Sequence, residues 1–303
     1  MHLKADHLIK ALEGKTVVSD LSFEARAGYI LGILGPDGAG KTTILRILVD
    51  IFRPDSGAVF YEDQPMNRKI RNAIGYLPEE RGLYGEYSVN RNLVYFARLK
   101  NLSRKKAQVE AVRLMDRFNI IEQMDMPVAL LSEEDRQKVQ IMCAIIHNPD
   151  LLILDEPFAA MHPNNQTLVR KLVQHFKDEG KTIILATRAL NEAETVCDEV
   201  LLIDQGRAVL QDNLKKIKEK FRESLIYVEA ADELQSLQDI FGVKRMIQDE
   251  HSARLFIDNQ VATQKILDII IRSVNVNKIE VHRPNLNDIF LEVLHNGHQK
   301  GKA

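Results

Sequence analysis

Residues Gly35 to Thr43 read "GPDGAGKTT", and no other stretch constrains the fold of this chain so tightly. The pattern is a full match to G-x-x-x-x-G-K-[ST], preceded by the apolar run "YILGIL" (Tyr29 to Leu34) and followed by the helical pattern "TILRILVDIF". Strand, glycine loop and helix in that order imply an α/β core. Gly35, Gly38 and Gly40 let the backbone curl around Pro36, Asp37 and Ala39 so that successive N–H groups point inward at phosphate oxygens, and the following helix adds its positive N-terminus. Lys41 is placed to neutralise outer phosphates, and Thr42, followed by Thr43, to ligate magnesium.

A second apolar run, "LLILDE" (Leu151 to Glu156), delivers two carboxylates at the end of a buried strand, where a parallel sheet places its ligands. Read alone, a strand ending in Asp-Glu is a solvated loop start. Beside a phosphate loop, Asp155 becomes a magnesium holder acting through water and Glu156 the group that polarises an attacking water.

The remaining pattern extends the same plan. Several amphipathic helices occupy about residues 89–146, "TIILAT" reads as another buried strand, and the helical "NNQTLVRKLVQHFKDEG" ends at Gly180, a C-cap glycine. "EVLLIDQGRAVL" reads as a hairpin turning at Gln205 and Gly206. A nucleotide domain of residues 1–220 is expected, then a boundary near Phe221 after the charged connector "NLKKIKEKFRES". Beyond it, strands and helices alternate as β-α-β-β-α-β, the order of a small ferredoxin-like α+β domain over 221–303 whose first helix is "DELQSLQDIF". The tail "NGHQKGKA" is expected to be disordered.

Charge and composition limit the partners. With 41 Lys and Arg against 43 Asp and Glu the formal charge is -2, so there is no basic field for nucleic acid or an anionic membrane. Two distant cysteines, Cys143 and Cys197, fit buried thiols in a reducing compartment. The longest apolar stretches fall short of the roughly 20 residues that span a bilayer, so a cytoplasmic protein is expected, with any membrane contact made through a partner.

From about Leu3 to Phe221 the chain resembles the ATP-binding subunits of ABC transporters. The landmarks come in family order: the phosphate loop, "IGYLPEERGLY" at the Q-loop place, "LS" opening a helix, "LLILDEP", "AAMHP" at the D-loop place and "ILATRALNEAE" at the H-loop place. "YLPEERGLY" and the closing "PNLNDIFLEVL" are similar to the ABC-2 type export branch, in which Glu79 stands where most of the family has the Q-loop glutamine. The resemblance implies a P-loop NTPase fold with a helical subdomain, ATP and Mg2+ as ligands, and Glu79 as a third magnesium-side group beside Thr42 and Asp155. It also implies an integral membrane permease as partner, a second ABC ATPase subunit making a homodimer or heterodimer, and a place on the inner face of the cell membrane held through the permease.

The departures matter as much. In the family, one subunit's "LSGGQ" lays a serine and glycine amides against the γ-phosphate held by the other. Here Ser132 remains, while Glu133 and Glu134 replace the glycines and, with Asp135, fill the first turn of a helix with carboxylates. Ser132 followed by Asp135 also forms a capping-box-like pattern, so this helix start is expected to satisfy itself and to weaken an ATP-driven homodimer. Arg188 stands at the place of the H-loop histidine that contacts the γ-phosphate and the attacking water, Ala159 to His162 replace the D-loop residues, and Leu12 stands at the adenine-stacking aromatic. Two readings remain open: a working transport ATPase, with Lys41 and Glu156 as catalytic residues, or an ATP-binding regulatory subunit that hydrolyses little.

Overall fold

The computed structural model describes residues 1–80, 82–221, 224–258 and 262–300, with side chains through residue 293. An antiparallel hairpin, β1 (Leu3–Leu12) and β2 (Lys15–Ala25), leads into β3 (Ile30–Leu34) and α1 (Lys41–Leu48). Next come β4 (Ser56–Tyr61), α2 (Arg68–Ala73) and β5 (Ile74–Leu77), followed by the helical insertion α3 (Val89–Leu99), α4 (Arg104–Arg117) and α5 (Glu133–Ile145). The chain then alternates through β6 (Leu151–Asp155), α6 (Pro163–Asp178), β7 (Thr182–Thr187) and α7 (Leu190–Val196) to the hairpin β8 (Glu199–Asp204) and β9 (Arg207–Asn213). The C-terminal part holds α8 (Leu214–Lys220), β10 (Ser224–Ala230), β11 (Val243–Gln248), β12 (Ser252–Ile257), α9 (Thr263–Ser273), β13 (Val276–His282) and α10 (Leu286–Lys300).

The first compact unit, Met1–Asn213, is built on a six-stranded sheet in the order β5-β6-β7-β3-β8-β9, with β9 antiparallel at its edge. Every residue of β3, β6 and β7 is buried, as expected of parallel strands covered on both faces. A second, antiparallel sheet, β2-β1-β4, and the apolar side of α1 share one core with it, including Leu21, Phe23, Ile44, Leu45 and Ile153.

The second unit begins at Leu214, ahead of the boundary expected near Phe221. The charged connector is a packed helix there, because Leu214 and Ile217 are buried along α8. The four-stranded sheet has the order β11-β12-β10-β13 with every pair antiparallel, the ferredoxin-like arrangement. One expected element is missing: "DELQSLQDIF" forms only a 3₁₀ turn at Gln235–Asp239. Leu234 and Leu237 are its buried apolar residues while Phe241 is 85% exposed, too little burial to offset the cost of nucleating a helix. The tail differs in the opposite sense. α10 continues through Lys300 into the "NGHQK" expected to be disordered, since extending a formed helix is far easier than starting one. Residues 301–303 lie outside the described residues, as does Arg81 of the "PEER" loop.

Candidate functional site

Sheet register gathers the site. Leu34, the last residue of β3, pairs with Thr187, the last of β7, and Asp155, the last of β6, pairs with Ala186. Three neighbouring parallel strands therefore end level, and β5, on the far side of β6, ends at Leu77 just before Glu79. The cleft above these ends is lined by Asp37, Gly38, Gly40, Lys41, Thr42 and Thr43 together with Glu79, Asp155 and Glu156.

The phosphate loop is shaped by close packing. A side chain at Gly35 would place its Cβ 2.3 Å from the Ile203 carbonyl oxygen. Gly40 caps α1 at φ 103°, a left-handed conformation that L residues with side chains rarely adopt, with the Val17 carbonyl 2.6 Å from where a Cβ would stand. No side chain caps α1, so its first amides are left for a ligand. Lys41 is buried, and its Nζ donates to the carbonyls of Gly35 at 2.8 Å and Pro36 at 3.0 Å, a coil that holds the ammonium at the loop. Ala39 packs into the core instead of toward the cleft.

Asp155 is 1% exposed, and neither carboxylate oxygen has a partner at full hydrogen-bond geometry, although the Thr42 hydroxyl lies near enough to act on the carboxylate. Burial pushes its pKa up to about 6; the Thr42 hydroxyl and the Lys41 ammonium oppose the shift, and the carboxylates of Glu79 and Glu156 reinforce it. A buried carboxylate with neither oxygen partnered at full geometry, next to a hydroxyl and a second carboxylate, is a set of hard oxygen donors that suits Mg2+. Among the described residues no group of three or more His, Cys, Asp or Glu could hold a metal ion alone.

Glu156 sits at φ 44°, a left-handed conformation that strains a non-glycine residue. Its fixed surroundings hold it there. The backbone N donates to the Ala186 carbonyl at 2.9 Å, the Thr187 hydroxyl donates to Oε2 at 2.7 Å, and the Arg188 backbone N donates to Oε1 at 2.8 Å. Thr187 Oγ1 also accepts from Ala189 N at 3.0 Å, which fixes the hydroxyl rotor toward Glu156. The Arg188 guanidinium reaches across to the phosphate loop, where Nη1 donates to Asp37 Oδ2 at 2.9 Å.

Ser132 does not line this cleft. It caps α5: its Oγ accepts from Asp135 N at 3.1 Å and donates to Asp135 Oδ2 at 2.9 Å, while Lys138 and Gln123 hold the same carboxylate. Glu134 turns to α6, with Oε1 accepting from His162 N at 2.8 Å and Asn165 Nδ2 at 2.7 Å. The chain thus brings residues 35–43, Glu79, Asp155, Glu156 and Arg188 together and leaves Ser132 apart.

The ABC transporter family profile matches residues 18–159, and a profile for the C-terminal domain of DrrA1-3-like ATP-binding proteins matches residues 213–294. YhaQ of Bacillus subtilis, an uncharacterized ABC transporter ATP-binding protein, is 34% identical over 290 residues, spanning 96% of this chain and 97% of its own. The chain belongs to the ABC transporter ATP-binding proteins. The lipopolysaccharide export system ATP-binding protein LptB of Escherichia coli K12 is 33% identical over 213 residues, 68% of this chain and 88% of LptB. Among solved structures, an ATP-binding subunit of an ABC transporter aligns with a TM-score of 0.68 at 26% identity, over 73% of this chain and 93% of its own. A dimeric bacterial ABC transporter cassette aligns at 0.66 with 20% identity, over 70% and 98%, which shows the fold alone.

For this ABC ATP-binding subunit, sequence reading missed Thr187, whose hydroxyl orients Glu156, and Val17, whose carbonyl shapes the loop at Gly40. The threonine ends a run that reads as strand, and its only local signal is a hydroxyl at the carboxyl end of a buried parallel strand.

Proposed function

We propose that the chain binds Mg-ATP and couples its binding and hydrolysis to a separate integral membrane permease of the ABC-2 export type, paired with a second ABC ATPase subunit. The observation that carries this is Asp155, buried and without a hydrogen-bond partner at full geometry, in one cleft with Lys41, Thr42 and Glu79. Magnesium bound there would offset negative charge on the phosphate oxygens. Lys41 would move from the Gly35 and Pro36 carbonyls to the outer phosphates, and Glu156, held by Thr187 and Arg188, would orient the attacking water and take its proton.

Several features support the partner assignment. No helix among the described residues is long and apolar enough to cross a membrane, so transport needs a separate membrane subunit. An apolar cleft lined by Tyr76, Leu83, Phe96, Leu99 and Cys143, with Leu99 56% exposed, offers a face for it. The DrrA-like match over 213–294 and the export role in LptB's name favour an exporter. On this reading the subunit lies in the cytoplasm against the inner membrane face and does not bind nucleic acid.

A second reading, a regulatory subunit with little hydrolysis of its own, is favoured by one observation: the Ser132 hydroxyl is already donated to Asp135. Titration calorimetry with Mg-ATP tests the shared part, since Lys41→Ala should lose most of the affinity. Equal binding by parent and variant would end both readings. Single-turnover phosphate release from the permease-bound complex separates them, because a regulatory subunit releases little or none at its own site.

A further inference from the structure

The cleft proposed to receive a polyphosphate is lined by four carboxylates, those of Asp37, Glu79, Asp155 and Glu156, against one cation, Lys41. Three of the four have work to do there. Asp155 and Glu79 lie where magnesium would balance them, and Glu156 is held by the Thr187 hydroxyl and the Arg188 amide. Asp37 has no such role. It adds negative charge to the phosphate loop itself, where a polyanion must approach.

Arg188 answers that charge. Its Nη1 donates to Asp37 Oδ2 at 2.9 Å, across 151 positions of sequence, while its own backbone N holds Glu156. The two side chains are 66% and 74% exposed, so the pair adds little to the stability of the fold. Its effect falls on whatever binds beside it. An arginine keeps its charge at any physiological pH, so the compensation is permanent, as histidine at this place could not provide.

We propose that Asp37 and Arg188 act as one device: Arg188 neutralises the carboxylate that Asp37 places on the phosphate loop, so that the loop accepts a polyphosphate, and Asp37 in turn holds Arg188 beside Glu156. Arg188 is then a positioning and charge-compensating residue, and the arginine and the aspartate depend on each other. This rests on the nucleotide site being the one proposed above. It differs from a direct role for Arg188 as a ligand of the terminal phosphate, which would not depend on Asp37 at all.

A double-mutant cycle read by calorimetry with Mg-ADP and Mg-ATP separates the two. Arg188→Ala exposes Asp37 and should weaken both nucleotides by about tenfold, and Asp37→Asn, which removes the charge to be compensated, is the background on which that loss is measured again. The double variant should return to within about twofold of Asp37→Asn, and Arg188→Lys, which keeps the charge, should recover part of the loss. A loss on Arg188→Ala that persists undiminished on the Asp37→Asn background, or that affects ATP and spares ADP, overturns the proposal in favour of an independent terminal-phosphate ligand. Melting temperatures of the four proteins should agree, as expected for an exposed pair. Lys41→Ala run alongside keeps the outcomes distinct: if it binds like the parent, the site itself is misplaced.

Discussion

Glu134 caps a helix that is not its own. Its Oε1 accepts from the backbone N of His162, the N-cap of α6, at 2.8 Å, and no side chain of α6 caps that end. Asn165 Nδ2 adds a second bond at 2.7 Å, so one carboxylate ties the start of α5 to the start of α6, the positive end of a sixteen-residue helix. A residue that reads as misplaced charge in the signature segment therefore has a partner in the same subunit.

Glu134→Ala should destabilise the chain by about 1 kcal/mol, the usual worth of a lost helix cap, and Glu134→Gln, which keeps an acceptor, by less. The Asn165 hydrogen bond, followed by the His162 amide, holds the Glu134 carboxyl below the ordinary glutamate range. A depressed acid stabilises above its unfolded pKa, so this contribution should fade as pH falls through the folded value. Thermal melts of parent and variants at neutral and acid pH read both effects. Identical curves at neutral pH would mean that the cap carries no energy.

Asp155 should behave in the opposite way. Burial raises its pKa to about 6, so the folded chain binds its proton more tightly than the unfolded chain does. Stability should decline as pH rises from the ordinary aspartate range through about 6, with a penalty on the order of 2 to 3 kcal/mol at neutral pH. Asp155→Asn should then raise the melting temperature of the nucleotide-free protein by several degrees at pH 7.5 and by much less at pH 5. The same variant should lose the magnesium dependence of ATP binding. A variant less stable than the parent at pH 7.5 would contradict the assignment of a buried charge that the Thr42 hydroxyl and the Lys41 ammonium offset only in part.

How much of this was legible in the sequence follows from which patterns were local. The runs "ILGIL", "LLILD" and "TIILAT" are buried on both faces and announce themselves as strands, and the glycine loop between one of them and α1 places the site. The hairpin β1–β2 was not legible, because its register shifts after Ala5, Leu8 and Lys10 break the period-two alternation that marks a strand. Within the site, Lys41, Asp155 and Glu156 followed from spacing, and the capping of α5 by Ser132 with Asp135 followed from a three-residue interval. The contacts of Thr187 with Glu156, Asp37 with Arg188 and Glu134 with His162 join residues 28 to 151 positions apart and depend on sheet register and helix docking.

Thr187→Val keeps the volume of the side chain and removes the hydroxyl that donates to Glu156 Oε2 and accepts from Ala189 N. Glu156 would retain the Arg188 amide alone and gain freedom about its side chain. Phosphate release by the permease-bound complex should slow by about tenfold with nucleotide affinity unchanged, the signature of an interaction that matters in the transition state. An equal fall in ATP affinity would place Thr187 in binding instead. Glu156→Gln sets the floor: it should bind ATP and release no phosphate.

The final prediction concerns Glu133 and Glu134 together. If α5 serves as the signature helix of the proposed dimer, it would have to present bare amides to an opposing nucleotide, but it starts with three acidic residues and with Ser132 Oγ donated to Asp135. Each carboxylate near an opposing γ-phosphate would cost about 1 kcal/mol after solvent screening, while the dipole of α5 is already answered by its own first turn. Glu133→Gly with Glu134→Gly should therefore strengthen ATP-dependent dimerisation by roughly fivefold or more, measured by sedimentation on the Glu156→Gln background. The same double variant loses the α6 cap, so its monomer should melt lower than the parent. Tighter association from a less stable subunit is a combination that general destabilisation does not produce. If the parent already dimerises as tightly as the variant, these carboxylates do not face phosphate, and the role of Glu134 ends at the cap on α6.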